Sequence, residues 1–92
     1  MYATVRIYNQ PELADELAER SDEIRELMSG VAGLQSYHLF RTEHGCARVT
    51  VCDDEKAAEA STETVAAWFR ERPGEVTEPD PQITRGEVIA SV

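Results

Sequence analysis

Arg6, Tyr8, His38, Arg48, Thr50, Arg85 and Glu87 occupy alternate positions in segments that read as strands, and their parity puts them on one sheet face. Arg6, Arg48 and Arg85 are three of only 9 Lys and Arg in a chain with 18 Asp and Glu. Cations gathered on one face suit an anion or enolate, and His38 beside them suits a general base. The alternative is an ion network, for instance Glu87 with Arg6 or Arg48, that fixes the interior and touches no ligand. On this reading the pocket joins His38 to Arg48, with Arg6, Tyr8 and Trp68 at its borders. Trp68 sits on a helix beside Phe69, so it either lines that pocket with Tyr37 at an open sheet edge or packs as core.

Other chemistry finds no purchase in the residue types. His44 falls in a turn, where solvent exposure is the default. Cys46 and Cys52 stand six residues apart in one strand, ~20 Å along an extended chain, beyond the ~7 Å a disulfide spans. They read as two small, partly buried thiols. No zinc spacing, phosphate-binding Gly loop, Cys-His pair or Ser-His-Asp order is present, nor a flavin or nicotinamide motif. No metal and no cofactor is expected.

The elements that must position these residues follow from periodicity. Residues 2–8 alternate, with Ala3, Val5 and Ile7 on one face and Tyr2, Thr4, Arg6 and Tyr8 on the other. Asn9-Gln10-Pro11 stops the strand and opens a helix near 11–29, whose stripe is Leu13, Leu17, Ser21, Ile24 and Met28. Gly30 and Gly33 punctuate its exit. Strands at 34–41 and 46–52 flank the hairpin Thr42-Glu43-His44-Gly45. Asp53-Asp54-Glu55 opens a second helix near 54–71, with Ala58, Ser61, Val65 and Phe69 in its stripe. A proline-containing loop then leads to a last strand, roughly 82–91.

The order is β-α-β-β-α-β, a ferredoxin-like α+β fold with a four-stranded antiparallel sheet and two helices on one face. The aliphatic Ala3/Val5/Ile7, Ala47/Val49/Val51 and Val88/Ala90 faces offer the natural seat for those helices. The face that remains would carry Tyr2, Tyr8, Phe40, Ile89, Cys46 and Cys52, too apolar to leave in water. A second copy packed sheet to sheet would cover it with twofold symmetry.

The 92 residues allow one domain, 1–92, which alone would bury only ~60–68% of its unfolded surface. A net charge of −9 and a pI near 4.5 argue against nucleic acid and anionic membranes as partners. With 41% hydrophobic and 29% charged residues the chain is not a disordered acidic tail. No stretch reaches the ~18–20 apolar residues of a membrane span, and MYATVRIYN lacks a signal-peptide core, so the expected location is the cytoplasm.

The strand Ala3 to Tyr8 and the run Val31-Ala-Gly-Leu-Gln-Ser-Tyr-His-Leu-Phe-Arg41 resemble the antibiotic biosynthesis monooxygenase family of dimeric α/β barrels. Residues 47–52 and the helix with Trp68 extend the resemblance over almost the entire chain. It implies a homodimer whose sheets form a closed barrel, with a small-molecule cavity between sheet and helices in each subunit. Some members oxygenate aromatic polyketides without a cofactor and some degrade haem. The haem-degrading members use an Asn within the first strand. Asn9 here has the other parity and adjoins Pro11, so it is expected to cap the helix instead. Two functions stay open: a cofactor-independent monooxygenase acting on a small aromatic or quinone-like compound, and a non-catalytic homodimeric module that binds a metabolite or nothing.

Overall fold

A computed structural model describes residues 1–92. The chain runs β1 (Tyr2–Tyr8), α1 (Pro11–Glu19), α2 (Ser21–Ser29), β2 (Leu34–Thr42), β3 (Gly45–Cys52), α3 (Glu55–Arg70) and β4 (Gln82–Glu87). The four strands form one antiparallel sheet in the order β2-β3-β1-β4, the ferredoxin-like arrangement. No helix is long and apolar enough to cross a membrane.

The single helix expected over 11–29 is two. Arg20 leaves the helical region at φ −111° and ψ 21°, and its N–H donates to the Leu17 carbonyl at 3.1 Å. Its guanidinium also donates to the Glu16 carbonyl at 3.2 Å, so the end of α1 is capped by the residue that breaks it. Ser21, Asp22 and Glu23 then form a new first turn, where acidic groups meet the positive end of the helix dipole. At the start of α1 it is Gln10, not Asn9, that occupies the cap position, and its side chain does not cap the helix. In α3 the cap is as the acidic run predicts: Asp54 Oδ1 accepts from the Ala57 N–H at 2.8 Å.

On β1 and β3 the two faces of the sheet are the reverse of the expected ones, whereas His38 and Phe40 of β2 lie on the uncovered face as expected. Cross-strand partners share a face, and the pairs Arg6–Arg48 and Tyr8–Cys46 on β1 and β3 lie beneath the helices. Leu13, Leu17, Ile24, Met28, Val65 and Trp68 close over them, and together with Tyr8 and Cys46 they make the core. The row Val5–Val49–His38 faces away from the helices, with Ile7 and Phe40 beside it and exposed. Tyr8, Cys46 and Cys52, expected on the uncovered face, are instead among the most buried side chains.

The last strand is shorter than expected. It ends at Glu87, because β1 begins at Tyr2 and offers no partner beyond; one further bond, Val88 N–H to the Met1 carbonyl at 2.8 Å, closes the pairing. All six β4 residues are exposed, and Val88 and Ala90 lie beyond the strand, so no strand face there seats the helices. Between α3 and β4 the chain straps back over the start of α1. Glu16 Oε1 accepts from the Thr77 N–H, Gln10 Nε2 donates to the Glu78 carbonyl, and Gln10 Oε1 accepts from the Asp80 N–H, all at 2.8 Å.

Candidate functional site

β1 and β3 carry Arg6 and Arg48 side by side, and β2 brings Tyr37 and Leu39 along the same face. α3 lays Thr62, Val65, Trp68 and Phe69 across them. The result is a small cavity of about 20 Å3 whose wall includes Tyr8, Tyr37, Arg48 and Trp68. It shares Tyr8, Arg48, Val65 and Phe69 with an open pocket of about 120 Å3, which adds Arg6, Thr62, Pro79 and Pro81. On the other side it shares Leu17, Ile24, Tyr37 and Leu39 with a cleft of about 420 Å3 running beside the α1–α2 elbow. A larger hollow, about 600 Å3, lies between the end of α3 and the 73–79 loop and touches none of these buried polar groups.

Arg6 and Arg48 are only 7% and 6% exposed. Arg6 donates to Thr62 Oγ1 at 2.9 Å, and no carboxylate reaches either guanidinium. Arg48 Nε is buried with no hydrogen-bond partner. Burial and the neighbouring Arg48 both push the pKa of Arg6 below its ordinary value. Burial lifts the Tyr8 and Tyr37 phenols above theirs, against the opposing pull of Arg48, so both are neutral hydroxyls near pH 7. Burial likewise keeps the Cys46 and Cys52 thiols protonated, and both are free.

Trp68 is held rigidly. Its indole N–H donates to Glu23 Oε1 at 3.0 Å, Arg72 stacks 4.3 Å from the ring centroid, and Phe69 meets it edge-on at 5.2 Å. Glu23 also receives the Arg72 guanidinium, so this cluster locks α2 to α3.

Of the residues singled out in the sequence, Arg6, Tyr8, Arg48 and Trp68 therefore come together, and on the helix side. That corrects the expectation that Trp68 enters only at a sheet edge. His38 does not join them. It pairs with Val49 on the opposite face and is exposed, so it cannot serve as a base to anything held beside Arg48. Arg85 and Glu87 lie on the exposed edge strand, and Glu87 forms no ion pair with Arg6 or Arg48. Thr62 escaped sequence reading; its one signal was its place next to Ser61 on the apolar side of the helix.

No protein-family model matches the sequence, and no curated protein is significantly similar to it. Solved structures do match. A variant of MhuD with two manganese protoporphyrin IX molecules bound per active site aligns at TM-score 0.74 and 19% identity, over 100% of this chain and 98% of its own. The chain has the same fold. The monooxygenase from the gene ActVA-Orf6 of Streptomyces coelicolor, in complex with nanaomycin D, aligns at TM-score 0.65 and 12% identity, covering 99% of this chain and 88% of that one. A dimeric ferredoxin-like protein from an uncultured marine organism aligns at 0.68 and 16%, over 99% and 95%. These likenesses extend the fold-level resemblance in the strands to the whole chain.

Proposed function

We propose that the chain is a homodimeric small-molecule-binding domain that holds an aromatic or quinone-like compound between its sheet and its helices. The observation that carries this reading is the convergence of Arg6, Arg48, Tyr8, Tyr37 and Trp68 on one partly hollow interior. Aromatic and aliphatic walls would hold a ring, and the polar groups would orient it. Similarity in fold to a monooxygenase and to a porphyrin-binding protein supports a ligand-binding role. Cofactor-independent monooxygenation is the leading activity: a phenol takes one oxygen atom from O2 to become a quinone, and the other oxygen leaves as water. The neutral Tyr8 and Tyr37 hydroxyls and the two guanidinia would stabilise a substrate anion in that reaction.

A second reading, a non-catalytic binding module, is favoured by the cavity wall itself. It holds neither imidazole nor carboxylate, so no side chain there is an ordinary base at neutral pH. Oxygen-electrode assays on a panel of phenols and hydroquinones separate the two. Uptake that requires Arg48 and Tyr37 supports the enzyme, and uptake no faster than in protein-free controls across the panel leaves the module.

A further inference from the structure

We infer that the interior beside Arg6 and Arg48 is a site for an organic anion, with the anionic group held between the two guanidinia. This deepens the small-molecule reading and rests on it. Charged groups buried in protein are ordinarily paired, because removing them from water is costly. Here two cations sit on adjacent strands at directly opposed positions, both more than nine-tenths buried. The chain has 18 acidic residues with which to neutralise them. None lines the cavity or the pocket next to it.

Of the six other arginines, Arg25, Arg41, Arg70 and Arg72 pair with carboxylates, Arg20 donates to the Glu16 carbonyl, and Arg85 stands in solvent on β4. The buried pair is thus left uncompensated by the chain itself, and Arg48 Nε still has a hydrogen bond to give. Guanidinium forks match planar oxyanions, and the neutral phenol of Tyr8 in the same pocket adds an O–H donor with no competing negative charge. The pocket of about 120 Å3 that reaches both arginines approaches the ~150 Å3 cavity that takes benzene, and because it is open a single ring can project from its mouth. The ligand class is therefore an aromatic carboxylate, or a phenol bound as its anion.

The test is calorimetric titration of the full chain with benzoate and with benzyl alcohol, its neutral counterpart of similar size. Benzoate should bind about tenfold or more tighter than the alcohol. Arg48→Met should erase that preference, and Lys56→Met, which removes an exposed cation on α3, should leave it intact. Melting temperature gives a second readout. An unpaired buried cation that exists for a ligand costs stability without one, so Arg48→Met should melt no lower than the parent chain. Arg6→Met repeats both measurements from the neighbouring strand. Equal binding of the two probes, or a benzoate preference that survives Arg48→Met, overturns the anion site and leaves the cavity reading standing, since the alcohol reports on it. Binding of neither probe overturns both.

Discussion

Tyr8 and Tyr37 face Arg48 from different strands, and their titration follows from their burial. Each has a folded pKa above the ordinary 10.0, so the unfolded chain gives up these protons first. Their contribution to stability is therefore intact below pH 10 and falls as pH rises past it. Absorbance at 295 nm should show two phenols ionising late, and Tyr8→Phe and Tyr37→Phe should each remove one of them. A phenol lost from the early part of the titration in either variant would contradict the placement. The thiols give a parallel check. Cys46 and Cys52 should resist a thiol reagent in the folded chain and react once it is unfolded in urea.

At the scale of the elements, the tightest approach is at Gly45, where β3 begins. A Cβ there would stand 2.0 Å from the Tyr8 carbonyl oxygen and 2.7 Å from the Gln10 nitrogen. Both are backbone atoms that cannot swing aside. Gly45→Ala should therefore cost about 2 kcal/mol or more in urea unfolding, at the upper range for overpacking. Asp54→Ala, which removes the α3 cap, should cost about 1 kcal/mol. The alternation of residues 2–8 and 46–52 made these strands, their antiparallel order and the grouping of Arg6, Tyr8 and Arg48 legible in the sequence. Which face the helices cover was not legible. Alternation marks two faces, and Val5, Val49 and Val51 resemble core while Arg6 and Arg48 resemble surface. His38 was misplaced beside Arg48 for a separate reason, the register of β2 on β3: it pairs with Val49 and so faces away from Arg48. The break at Arg20 hid because Ser21 fits the apolar stripe of one long helix, although Ser-Asp-Glu is also a good helix start.

For the whole molecule, the inverted faces strengthen the case for a second copy. The face away from the helices carries Ala3, Val5, Ile7, Phe40, Val49 and Val51, an aliphatic surface with no element of this chain over it. Val49→Asp, at its centre, should leave the circular dichroism unchanged and convert a dimer to the 10.3 kDa monomer in light scattering. A parent chain that already scatters as a monomer would sink the idea. The strand order bears on synthesis as well. β1 is central, paired to β3 on one edge and to β4 on the other, and β4 starts at Gln82. At ~5–20 residues per second the ribosome delivers β4 about 4–15 s after β1. For that interval a central strand rich in β-branched residues has one edge without a partner. Any neighbouring nascent chain, including another copy, meets it as a template for strand addition.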